Sequence, residues 1–287
     1  MTKLLLDKYE ALTDARLNEL SKSWGVRVFA KVRLADVLPV ERSGIDSNLY
    51  RFALQSHFDF VVADENHRPK LAIEFDGQSH FTEKQLARDR KKERLCEVFD
   101  MPWLRINSRY LERIYRGMDL LGWFVHWHFG YEMLLEAQQA GEIPWDDPID
   151  PLFLHSIEGE RRSFPLWISH VNQAKLYRLL SEGRIFDPGI STAVVSDSDG
   201  NTYAFGSIRI SSSEGVAAKT AMRSQGMRAD AASVLEQIVC HEVYCELMDV
   251  LAARKHPIEC DTIHAMRESL TSGRSMLRSS TWSHGKG

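Results

Sequence analysis

Two short apolar runs, His57-Phe-Asp-Phe-Val-Val-Ala63 and Lys70-Leu-Ala-Ile-Glu-Phe-Asp76, constrain what this chain can fold into more than any other feature. Each is short, apolar and bounded by turn formers, and the first is rich in Val and Phe, the pattern of a strand rather than of a helix. Between them, Asp64-Glu-Asn-His-Arg-Pro69 supplies polar turn residues and a proline that cannot donate to a ladder. An antiparallel hairpin is the simplest outcome. Side chains alternate faces along a strand, so Asp59 and Val61 oppose Phe58, Phe60 and Val62, and Ala72, Glu74 and Asp76 oppose Leu71, Ile73 and Phe75. Pairing the strands then brings Asp59, Glu74 and Asp76 to one end of a sheet whose other face is apolar.

Around the hairpin, Leu4, Leu5, Leu6, Leu12, Leu17, Leu20 and Trp24 recur at helical spacing ahead of Gly25, which predicts a first helix. Residues 26–34 alternate apolar and basic side chains as a half-buried strand does, and Asp36-Val-Leu-Pro-Val40 opens a loop. Downstream, Thr82 is placed to cap a charged helix over 85–99, and Pro102-Trp-Leu-Arg-Ile-Asn107 reads as a further strand. Residues 110–140 read as one or two helices. The order helix, three strands, helix, strand defines a compact α/β unit, assigned to residues 1–140. A Pro/Asp-rich stretch from Glu142 breaks all periodicity and marks a linker over 141–165. Residues 166–287 form a smaller α+β domain, with a helix over 173–182, a hairpin across Asp197-Ser-Asp-Gly-Asn201, a long helix over 229–253 and a frayed Ser/Gly-rich end from Thr271.

Like charges converging at a sheet end repel, and burying them is costly unless a cation offsets them. A hard divalent ion is the natural partner: Mg²⁺ takes oxygen ligands, is held by one or two carboxylates and leaves its other positions to water and phosphate. Such an ion lowers the pKa of bound water and stabilises the added charge of phosphodiester hydrolysis. Charge distribution points the same way. The first 125 residues carry 21 Lys/Arg against 19 Asp/Glu and the remainder 15 against 21, with a basic run Arg88-Asp-Arg-Lys-Lys-Glu-Arg94 on the predicted helix. Four scattered cysteines exclude a disulfide framework, and an N-terminal apolar run of only three residues is too short for a signal peptide or a membrane span. A soluble, unprocessed cytoplasmic protein is the expectation.

Asp59 followed by Ile73-Glu74-Phe75-Asp76 resembles the D…(D/E)-x-K core of the PD-(D/E)XK nuclease superfamily. The ordered series Phe58-Asp59-Phe60, Ile73-Glu-Phe-Asp-Gly-Gln-Ser-His80, Asp89-Arg90 and Trp103-Leu-Arg105-Ile106 is similar to its very-short-patch-repair-like branch and a related uncharacterised bacterial domain family. The likeness covers about residues 1–125. It implies a restriction-endonuclease-like mixed sheet flanked by helices and a Mg²⁺- or Mn²⁺-dependent nuclease, DNA favoured, acting in repair, restriction or phage defence. Asp59, Glu74 and Asp76 would hold the metal. Asp76 stands where much of the superfamily has its catalytic Lys, which leaves the water-activating group open among His80, ranked first, and Lys91 or Arg90. Glu10 is the first-helix glutamate best placed to complete the site, and Arg88, Arg90, Lys92 and Arg105 are candidates for nucleic-acid contact.

Plainer readings compete. The basic run is by default a solvated helix face, and the nuclease fold can persist as an inactive module that binds nucleic acid or regulates a partner. The second domain leaves room for a protein partner, a homodimer or a gate on the nuclease. His126-Trp-His128 reads as a packed aromatic helix, His241 with Cys245 as core packing, and the Asp197 turn as a hairpin lacking the downstream Glu of a calcium loop.

Overall fold

The computed structural model describes residues 4–77, 82–115, 117–149 and 168–280 and is mixed α/β, with two sheets. It divides into two units: Met1–Leu166 with Gln225–Arg228, and Trp167–Ser224 with Ala229–Gly287.

The first unit opens with α1 (Lys8–Trp24), started by a capping box in which Asp7 accepts from the Glu10 N–H and Glu10 accepts from the Asp7 N–H, and ended by Gly25 at φ 62°. There follow β1 (Arg27–Arg33), α2 (Leu34–Val37), α3 (Ser47–Gln55), β2 (His57–Ala63), β3 (Pro69–Phe75), α4 (Glu83–Val98), β4 (Trp103–Ile106), a 3₁₀ turn at Ser108–Leu111 and α5 (Leu120–Gln139). The sheet runs β1-β2-β3-β4, antiparallel until β3 and β4, which pair in parallel. A parallel neighbour needs a crossover, and α4 is that connection. The hairpin turn is held by Asp64, whose Oδ1 accepts from the N–H groups of Asn66 and Arg68 at 3.0 and 2.8 Å.

Where a loop was expected after β1, the chain makes two helical segments. Asp46 caps α3 by accepting from Asn48 and Leu49 N–H, and Leu34, Leu38, Val40 and Ala53 join Val61, Ala72, Leu95 and Cys96 in one buried cluster. The acid-bearing face of the sheet is therefore also a packed face, covered by α4 away from the sheet end. α5 is buried nearly all round its first half. Within it His126 accepts from the Trp24 indole at 3.0 Å, and burial pushes His128 down to about 4. The segment Gln225–Arg228 closes the β4 edge: Gly226 exchanges both main-chain hydrogen bonds with Trp103, and the Gln225 amide bonds the Arg105 N–H and C=O at 2.6 and 3.1 Å. A Cβ at Gly226 would lie 1.8 Å from the Trp103 indole nitrogen, so only glycine fits this approach.

The second unit holds α6 (His170–Ser181), β5 (Ser191–Ser196), β6 (Thr202–Arg209), β7 (Glu214–Met222), α7 (Ala231–Leu251), β8 (Ile258–Glu259), α8 (Cys260–Thr271) and β9 (Ser275–Ser280), with an antiparallel sheet ordered β8-β7-β6-β5-β9. α7 packs against the sheet at Gly206, where a Cβ would stand 2.9 Å from Val243 Cγ2. The end expected to fray instead supplies an edge strand, since Ser275–Ser280 pairs with β5. Asp197 seals the β5–β6 turn by accepting from Asp199 N–H, Asn201 N–H and Nδ2, and Tyr203 O–H. Its oxygens are committed to the hairpin, as the plainer reading of that turn requires. His241 bonds Asn172 and Cys245. Among the described residues no helix is long and apolar enough to cross a membrane.

Candidate active site

The register that pairs Phe60 with Ile73 and Val61 with Ala72 places Asp59 opposite Glu74 one step further along. Asp59 is fixed from two sides. Its Oδ2 accepts from the Phe75 N–H at 2.9 Å, and its Oδ1 accepts from Lys31 Nζ at 2.7 Å. The same ammonium bonds Glu10 on α1. Partial burial opposes the charge on Lys31, but the hydrogen bonds to Asp59 and Glu10 hold it above its ordinary range. Lys31 has φ 54°, and the β1–β2 pairing passes from Ala30 to Val32 across it. A left-handed lysine inside a strand costs on the order of 1–3 kcal/mol and persists where its surroundings over-determine it, as the two carboxylates here do.

Glu74 is only 8% exposed. One oxygen, Oε2, accepts from Lys92 Nζ at 2.5 Å, and Lys92 donates to the His57 carbonyl at 2.8 Å as well. The other oxygen, Oε1, is buried with no hydrogen-bond partner among the described residues. Burial drives the Glu74 carboxyl up to about 7 although Lys92 opposes the shift, and the Asp59 charge pushes in the same direction as burial. Lys92 arrives from α4 because positions three and four apart share a helix face. Asp89, Lys92 and Cys96 form that inward stripe, while Arg88 and Arg90 stay exposed. Asp89 in turn bonds Arg105 at 3.0 Å, and both side chains are buried.

The structure therefore brings together Asp59, Glu74, Glu10, Lys31 and Lys92. It does not assemble the expected three-carboxylate set: no group of three or more His, Cys, Asp or Glu could hold one ion among the described residues. Asp76 follows the end of β3, its N–H bonded to the Ile106 carbonyl at 2.7 Å; burial pushes the Tyr110 hydroxyl up, and the Asp76 charge adds to it. His80 lies outside the described residues. Lys91 bonds the Asn48 side chain at 2.9 Å and lies over the Phe52 ring, turned away from Glu74 by its place one residue before Lys92. Arg88 also stacks over Phe52. Arg105, expected at a phosphate, is turned inward to Asp89 with 2% exposure, because alternation on β4 puts it on the face that α4 covers. Lys92, expected at nucleic acid, is instead the cation beside Glu74. Lys31 was missed: its only signal was its place in an alternating basic strand, which is the ordinary pattern of a solvated face.

Residues 3–117 match the model of a family described as a protein of unknown function (DUF2726). A DUF2726 domain thus covers this part of the chain, including every residue of the cluster. No curated protein and no solved structure matches the chain.

Proposed function

We propose that the first unit is a metal-dependent nuclease of restriction-endonuclease-like fold that hydrolyses phosphodiester bonds in nucleic acid. The observation that carries the reading is the Asp59–Glu74 pair: two carboxylates opposed across a hairpin, one of them buried, near-neutral and with a free oxygen. Strongly perturbed carboxylates with a specific cationic neighbour concentrate at functional sites. The donor set fits a hard divalent cation, since the Asp59 and Glu74 oxygens are the ligand type Mg²⁺ or Mn²⁺ takes. When bound, that ion would supply Lewis-acid stabilisation of a phosphodiester and activation of water. The chain's own part is positional. The Phe75 N–H orients Asp59, and Lys92 holds Glu74 and supplies an ammonium beside it, in a chain that has Asp76 where much of the resembling superfamily has its lysine. DNA, and a role in repair, restriction or phage defence, rest on the resemblance alone.

A second reading has its own support. Lys31 and Lys92 already contact the two carboxylates from within the protein, as in a nuclease-fold module that binds nucleic acid or regulates a partner without turnover. One experiment separates the two. Purified protein is incubated with single- and double-stranded DNA and RNA in Mg²⁺, Mn²⁺ or EDTA, beside a calorimetric Mn²⁺ titration. Cleavage lost in EDTA and in Asp59→Asn and Glu74→Gln supports the enzyme. Absence of cleavage and of Mn²⁺ binding sinks it.

A further inference from the structure

β1 is the edge strand of the first sheet, and along it lies a groove of about 640 Å³ whose lining includes Phe29, Lys31, Arg33 and Asp36. The register Arg27↔Ala63, Phe29↔Val61 and Arg33↔His57 sets Arg27, Phe29 and Arg33 on the sheet face that carries Asp59 and Glu74. A strand edge with unpaired main-chain groups is a liability that proteins blunt with charge, which accounts for the arginines. It does not account for Phe29, 39% exposed between them. His67, at φ 64° in the hairpin turn, leans on Phe29 with ring centroids 6.1 Å apart and bonds Arg27 at 3.0 Å. The result is an aromatic platform flanked by cations on the strand whose Lys31, two residues beyond Phe29, bonds Asp59.

We propose that this groove binds single-stranded nucleic acid, with an unpaired base stacked on Phe29 and phosphates on Arg27 and Arg33, and so delivers the strand to Asp59 and Glu74. The reading deepens the nuclease proposal and rests on it for the direction of the strand. Three features favour this occupant. The exposed ring offers a π-face that a base inside a duplex cannot reach, whereas every unpaired base can stack. Positions two apart on a strand are about 6.6 Å apart, so Arg27, Phe29 and the residues beyond meet successive parts of one extended backbone. Cations flank the Phe29 ring: Arg27 bonds the His67 imidazole, and Arg33 is held to the exposed Asp36, a contact that phosphate can replace, while Lys31 is committed to Glu10 and Asp59. A β-strand from a partner protein would instead meet an edge interrupted in its middle by Lys31 at φ 54°.

The test is fluorescence anisotropy of the full chain with labelled dodecamers of oligo-dT and oligo-rU and a duplex of mixed sequence, all in EDTA so that binding is read without cleavage. Phe29→Ala should weaken single-strand binding by about tenfold while Phe29→Tyr retains it, and duplex binding should change far less. Arg27→Gln and Arg33→Gln should each lower the slope of log affinity against log salt by about 0.7. Phe29→Leu, which keeps an apolar side chain without a π-face, should behave as Phe29→Ala and serves if the alanine variant does not fold. Equal binding by wild type and Phe29→Leu, equal losses for single strand and duplex, or no oligonucleotide binding by wild type would overturn the groove. Single-strand binding through Phe29 without metal-dependent cleavage would instead leave the groove standing and remove the nuclease.

Discussion

Replacing Lys92 by Met tests the electrostatic account of the site without any substrate. Lys92 and Glu74 meet at 2.5 Å with side chains 13% and 10% exposed, so removing the cation leaves Glu74 buried beside Asp59. Glu74 has an escape, which is to hold its proton. Its folded pKa of about 7 exceeds its ordinary value of 4.5, so the folded state binds one proton more than the unfolded chain between these values. Wild-type stability therefore falls across that interval and levels off above pH 7. Without Lys92 the carboxyl rises further and the decline continues. Below about pH 6.5 both proteins carry a neutral Glu74, and Lys92→Met should cost only about 1–2 kcal/mol for the lost hydrogen bonds to Glu74 and His57. Above pH 7 the gap should widen by about 1.4 kcal/mol per pH unit, reaching about 2 kcal/mol more at pH 8.5. Urea denaturation in EDTA, followed by intrinsic fluorescence, measures it; five of the seven tryptophans lie in the first unit. The double variant Lys92→Met/Glu74→Gln should show no such rise. A gap that stays constant from pH 5.5 to 8.5 refutes the coupling.

Three further outcomes are expected. Arg105→Met removes the buried cation beside Asp89 and leaves its charge in the interior with neutral Gln85, and should destabilise the first unit by about 3–5 kcal/mol, most of it recovered by adding Asp89→Leu; full stability of the single variant in a denaturant melt would contradict the buried pair. Gly206→Ala drives a methyl into Val243 and Val239 and should cost the second unit about 1–3 kcal/mol, with Gly206→Ala/Val243→Ala closer to wild type by circular dichroism. Burial opposes the charge on Asp197, but the hydrogen bonds from Asn201, Tyr203 and Asp199 keep its carboxyl below 3.8, so its stabilising effect is present above that pH and lost as pH falls below it. Asp197→Ala should lower the melting temperature at pH 7 and make less difference at pH 3, and a pH-independent loss would argue against the turn network.

The β2–β3 hairpin was legible because everything that specifies it is local. Alternation sorts Asp59 and Glu74, turn residues such as Asp64 close the loop, and a proline begins β3. The capped start of α4 at Thr82, whose hydroxyl accepts from Gln85 N–H at 3.3 Å, is equally local. Asp76 shows where that logic stops. Parity along one strand puts it with Glu74, but β3 ends at Phe75, and beyond a strand's end alternation no longer dictates where a side chain goes. α3 and β9 escaped notice because a nine-residue helix and a Ser-rich edge strand draw their stability from what they pack or pair against rather than from their own pattern.

By itself the sequence determined the two carboxylates and the face they share, because a strand's period of two is a property of the backbone. Only the tertiary structure decided which cations reach them. Lys31 comes from an edge strand with a left-handed residue in its middle, and Lys92 from a crossover helix whose rotation about its axis, fixed by Leu95 and Cys96 entering the core, selects Lys92 over Lys91. A charged run offers several equivalent lysines to inspection, and packing chooses among them because burial at one angle of the helix excludes the others.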